Sequence, residues 1–148
     1  MRLWHYGILE MLPELQLKSQ WRECVLIAKD LHETGFTHHL LINKIMSYNI
    51  KHFNYYLYLV YRAMIERGYR VQTASLLKLR EYVGFEPYVK PEIYNIWEGW
   101  HNKEYLRVCM ANLYEKHVFG VGKSRITDEE WETLCEGYKK ITGEEYVI

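Results

Sequence analysis

The triplet Trp21-Arg22-Glu23 sits in a stretch that reads as an amphipathic helix. On a wheel at about 100° per residue, Leu17, Trp21, Cys24, Val25 and Ala28 gather on one side. Glu23 falls nearly opposite, in a row with Gln16, Ser19 and Asp30, while Arg22 and Lys18 lie on a flank. A solvated face is the plain reading of such a row. Leu26 and Ile27 disturb it, because they share Glu23's side and an apolar outer face asks for cover. A carboxylate at a covered, partly apolar edge has a raised pKa and suits general acid–base work. Alone, Arg22 with Glu23 reads equally as a surface ion pair.

Other reactive types are less promising. Cys24 lies on the apolar side of the helix, a poor place for a nucleophile. Cys24, Cys109 and Cys135 are far apart, odd in number and without metal or redox spacing, so they read as reduced, buried thiols of a cytoplasmic protein. His38 and His39 are adjacent and point apart on a helix, which disfavours a metal pair. No metal and no cofactor are expected.

The elements that must position these groups follow from caps and periodicity. Pro13 opens a first helix that runs to about Glu33, with Gly35 as its C-terminal cap. Residues 38–47 predict a second, shorter helix, and 51–67 a third, closed by Gly68. Thr73, as N-cap, opens a fourth to Tyr82. Asn102 caps a helix to about His117, and Thr127 with Glu130 forms a capping box for a last helix that stops at Gly143. No strand alternation persists. The expectation is an all-α chain: one compact domain over 1–148, five to seven helices around one core.

Bulk properties set limits. The chain has 148 residues, 49% of them hydrophobic and 16% aromatic, which excludes a disordered polymer. Net charge is zero, so nothing global announces a polyanion partner. The distribution is uneven: residues 1–81 hold 11 Lys/Arg against 7 Asp/Glu, and residues 82–148 hold 8 against 12. A basic first half with an acidic last helix fits a binding face with a solubilising back. No apolar run approaches transmembrane length, and no membrane partner is expected.

Several pieces, in order, resemble the pyrimidine-dimer DNA glycosylases of the phage endonuclease V type. They are Met1-Arg2-Leu3-Trp4, then Leu17-Lys18-Ser19-Gln20-Trp21-Arg22-Glu23, then Ala63-Met64-Ile65-Glu66-Arg67-Gly68-Tyr69, and last Ala111-Asn112-Leu113-Tyr114-Glu115-Lys116. A cellular branch of the family beginning Met-Arg-Leu-Trp is the nearest likeness. Residues 1–117 form the family-like part, and 118–148 a loop and an acidic C-terminal helix.

The resemblance implies a DNA repair glycosylase with coupled AP lyase activity. Its partner is double-stranded DNA carrying damaged or modified bases, met by a monomer. The nucleophile is implied to be the α-amine of Met1, whose reference pKa of about 7.7–8.0 leaves a usable neutral fraction. Glu23 matches the family's catalytic carboxylate. Arg2, Arg22 and Lys116 match basic residues that grip phosphates, and His39 matches a histidine near the second helix. Trp4, Tyr6, Trp97 and Trp100 are candidate wedges or stacking surfaces for a flipped base.

The chain also departs from the family pattern. Residue 2 is Arg where phage members expose Thr, Leu26 or Ile27 replaces an Arg, and Asn112 replaces another. An acidic helix stands in place of a basic tail. Two alternatives follow: a non-catalytic helical module that binds nucleic acid or protein, or a glycosylase for a different modified base.

Overall fold

The computed structural model describes residues 2–148, and every described residue in regular structure is helical. Among the described residues there are five α-helices: α1 (Glu14–Glu33), α2 (Ile50–Glu66), α3 (Thr73–Val83), α4 (Lys103–Phe119) and α5 (Asp128–Thr142). Three short 3-10 turns, at Tyr6–Met11, Ile42–Ser47 and Gly122–Ser124, complete the set. No described helix is long and apolar enough to cross a membrane.

The caps act as their residue types require. The Pro13 carbonyl accepts from the Leu17 N–H at 3.0 Å and so starts α1. Gly35, at φ 84°, ends it by donating back to the carbonyls of Asp30 and Leu31. Asn49 caps α2 through the Lys51 N–H, and Asn102 caps α4 through the Tyr105 N–H. The Thr127–Glu130 capping box is complete in both directions.

Two expectations need correction. Residues 38–47 do not form an α-helix; a turn leads into the 3-10 segment Ile42–Ser47. Ile42 and Ile45 are both buried there, and a spacing of three serves a 3-10 turn as well as an α-helix. Thr73 is the first residue of α3 rather than its cap; Gln72 holds the cap position and makes no side-chain capping bond.

The chain divides into two compact units. The first comprises the residues up to Leu3 together with Lys18–Trp97. Its centre is the apolar face of α2, where Phe53, Tyr56, Leu57, Val60 and Met64 are buried. Trp21 and Phe85 both lie against Tyr61, with ring centroids 6.1 and 6.3 Å away. Each large apolar side chain removed from water contributes about 1.5–3 kcal/mol.

The second unit comprises Trp4–Leu17 and Glu98–Ile148. Here α5 packs on the Tyr6–Met11 turn and on α4. Gly137 permits the first contact, since a Cβ there would collide with the Met11 side chain. Of the cysteines, Cys24 and Cys109 are buried as expected, while Cys135 is only half-buried.

Candidate active site

The site develops from α1. Gln20 and Glu23 are three residues apart, which puts them on one edge of the helix. Gln20 is fully buried, and a buried amide must have its bonds met. Its Nε2 donates to the Arg2 carbonyl at 3.0 Å and to Glu23 Oε2 at 3.3 Å. Its Oε1 accepts from the Tyr56 hydroxyl at 2.9 Å, across from α2. The backbone N–H of Arg2 in turn donates to the Glu23 carboxylate. Both polar groups of the residue-2 backbone are thus engaged by one turn of α1.

This arrangement explains Glu23's electrostatics. Partial burial raises its pKa, opposed by the charges of Arg22 and His39 and by the bond from the Arg2 N–H. Burial also pushes the Cys24 thiol far up, with Glu23's charge acting the same way, so Cys24 is inert as a nucleophile.

The far side of α1 is not one surface. Gln16, Gln20 and Ile27 are buried along the edge that holds Glu23, while Arg22 and Leu26 are exposed. The expectation that Leu26 and Ile27 are covered together is therefore half right: Ile27 is 1% exposed and Leu26 54%. Arg22 extends along the helix to Ser19 Oγ at 3.1 Å. Arg2 is half-buried, and His39 is exposed on the segment after α1.

Met1 lies outside the described residues. Lys116 is exposed on α4, in the second unit. Asn112, where the family pattern has Arg, donates to the Val108 carbonyl of its own helix at 2.8 Å. No group of three or more His, Cys, Asp or Glu among the described residues is placed to hold a metal ion.

The aromatic candidates are largely removed from solvent. Trp4, Trp97 and Trp100 are 8%, 0% and 6% exposed, so none is a free wedge; Tyr6 is at the margin, 37% exposed. Large apolar rings find the core first. Trp97 lies on Tyr56 at a centroid distance of 4.9 Å and gives its backbone N–H to His52 Nδ1 at 2.9 Å. Tyr56 and Tyr61 belong to the core, while Tyr55 and Tyr58 meet edge to face on the half-exposed side of α2.

Sequence reasoning missed Gln20 and the hydroxyl of Tyr56. The available signal was Gln20 itself, a polar residue between Leu17 and Cys24 at i, i+3 from Glu23. Gln20→Leu leaves the Tyr56 hydroxyl and the Arg2 carbonyl without this buried partner. A loss of about 1–3 kcal/mol is expected, read as a lower midpoint in urea denaturation.

Comparison with known proteins assigns the chain to a family. A family model described as pyrimidine dimer DNA glycosylase matches residues 1–76. The match takes in Arg2, Arg22, Glu23 and His39 and stops before Lys116. The chain belongs to the pyrimidine dimer DNA glycosylase family, whose activity is DNA repair by base excision. No curated protein and no solved structure matches the chain.

Proposed function

We propose that the chain excises damaged bases from duplex DNA, pyrimidine dimers being the expected lesion, and then cuts the strand by a coupled AP lyase step. The nucleophile of this reading is the α-amine of Met1, which is nucleophilic when neutral and needs no special burial for that. Its nitrogen attacks C1′ of the damaged nucleotide, the bond from C1′ to the base breaks, and the base departs with a proton. Loss of the amine's remaining proton and opening of the sugar ring give a Schiff base. Removal of a C2′ proton then expels the 3′ phosphate by β-elimination, and water hydrolyses the imine to free the enzyme.

Glu23 is the carboxylate that stabilises the cationic sugar and carries protons through these steps. Arg2, Arg22 and His39 hold phosphates beside the lesion, and Lys116 holds the backbone elsewhere. One observation carries the reading: the backbone of residue 2 is hydrogen-bonded through its N–H to Glu23 and through its carbonyl to Gln20. These two bonds tie residue 2 to the half-buried carboxylate that the reading makes catalytic.

Borohydride trapping tests it. A covalent adduct is expected between the untagged protein and duplex carrying an abasic site or an ultraviolet dimer, and acetylation of the α-amine removes the adduct. No adduct on either substrate ends the lyase reading. Salt-sensitive binding without an adduct identifies instead a module that kept the fold and lost the chemistry.

A further inference from the structure

Three of the four aromatic side chains suited to prising open a base stack are in the core, yet base excision from a duplex needs something to occupy the vacated stack. The first unit exposes several apolar side chains, among them Leu26, Leu77, Tyr88 and Val89, and one pair of leucines lies next to His39. Leu40 is 87% exposed and Leu41 64%, side by side at the tip of the turn between α1 and the Ile42–Ser47 segment.

This tip is held firmly. Asn43 Oδ1 accepts from the Thr37 N–H at 2.7 Å and from the Thr37 hydroxyl at 2.9 Å, and Asn43 Nδ2 donates to the Thr37 carbonyl at 3.0 Å. The His39 carbonyl accepts from the backbone N–H of Ile42 and of Asn43 at 3.0 and 3.1 Å. Thr37, Ile42 and Ile45 are buried and anchor the base of the turn. A braced stem that presents two leucines to water gains nothing for folding from those side chains.

The surrounding charge selects the partner. From Thr34 to Ile65 the sequence holds no Asp or Glu, while Lys44 and Lys51 follow the tip closely along the chain. An apolar tip on an acid-free segment fits a polyanion with an apolar interior, which is the description of stacked DNA. His39, next to Leu40, is among the charges that act on Glu23, and both residues belong to the first unit.

We infer that the Thr37–Asn43 turn is a wedge, with Leu40 and Leu41 entering the base stack beside the lesion while the duplex lies over Glu23. The inference rests on the repair reading above. It adds a residue pair that holds the duplex open, distinct from those that react with it.

The test compares wild type with the double variant Leu40→Ser/Leu41→Ser on two substrates. One is a fully paired duplex with a single lesion; the other carries the same lesion inside a mismatched bubble that is already unstacked. The variant is expected to lose on the order of 10- to 100-fold in excision rate on the paired duplex and to recover most of that loss on the bubble. A 2-aminopurine beside the lesion brightens with wild type and stays dim with the variant. Equal rates for both proteins on the paired duplex overturn the wedge, as does an equal loss on both substrates. Sedimentation showing a wild-type dimer that the variant abolishes also overturns it, because the leucines then serve a second copy. A wild type that neither excises nor binds damaged duplex sinks the repair reading itself, an outcome separable from all of these.

Discussion

Glu23→Gln is expected to lower single-turnover excision by about 10²–10⁴-fold, the usual worth of a positioned acid–base group. The change is nearly isosteric. A glutamine oxygen at this position still accepts from the Arg2 N–H and from Gln20 Nε2, so the residue-2 backbone stays in place. Affinity for damaged duplex, measured by fluorescence anisotropy, should therefore change little. What disappears is the negative charge and the ability to exchange a proton.

The pH profile carries the same logic. Burial raises the Glu23 pKa, and the group acts as a carboxylate, so falling pH removes activity by protonating it. Because its pKa is raised, the acid limb of kcat/KM lies at higher pH than an exposed glutamate would give. Turnover of the Gln variant within tenfold of wild type would remove Glu23 from the reaction.

The second large effect concerns stability in mild acid. In the second unit His5 and His101 are buried, with ring centroids 5.3 Å apart. His5 Nδ1 accepts from the Gly7 N–H at 3.0 Å, which puts the ring proton on Nε2, and that nitrogen donates to the His101 carbonyl at 3.1 Å. His101 Nδ1 accepts from the Tyr6 N–H at 3.1 Å. Both accepting nitrogens must stay unprotonated to keep these bonds.

Burial lowers His5 to about 4, against the opposing effect of its bond to His101. Burial, with His5 nearby, lowers His101 to about 2. The unfolded chain protonates both near the ordinary value of about 6.5. Their contribution is complete above that value and is lost as pH falls, because the unfolded state takes up protons that the folded state refuses. The slope is about 1.4 kcal/mol per pH unit for each group, or about 2.7 for the pair between roughly pH 6 and pH 4. Such a loss is a sizeable share of a total stability of about 5–15 kcal/mol. His52, also lowered by burial, acts in the same direction. Urea denaturation at a series of pH values should show the unfolding free energy falling steadily below pH 6; a flat profile from pH 7 to pH 5 would refute the buried neutral pair.

Much of the architecture was legible locally. Pro13, Gly35, Gly68, Asn102 and the Thr127–Glu130 pair bound α1, α2, α4 and α5 to within a residue or two, because each cap satisfies backbone groups of its own helix. The raised pKa of Glu23 followed from its apolar neighbours on one helix. The segment after α1 was misread because its two buried isoleucines fit either kind of helical turn.

What could not be read depends on contacts far apart in sequence. Tyr56 reaches Gln20 across 36 residues, and no local period signals that bond. The tryptophans were misjudged for a similar reason: an aromatic ring suits a core or a groove equally, and only the packing of other elements decides.

Trp97 carries one more consequence. Its φ is 50°, the only positive value among the described residues other than glycine, and a bulky residue there costs about 1–3 kcal/mol. Glycine would relieve the backbone but leave an indole-sized hole beside Tyr56. Any smaller aromatic keeps the strain and fills less of the space. Position 97 thus couples a costly backbone twist to the filling of the core, so that truncating the indole relieves the one only by forfeiting the other.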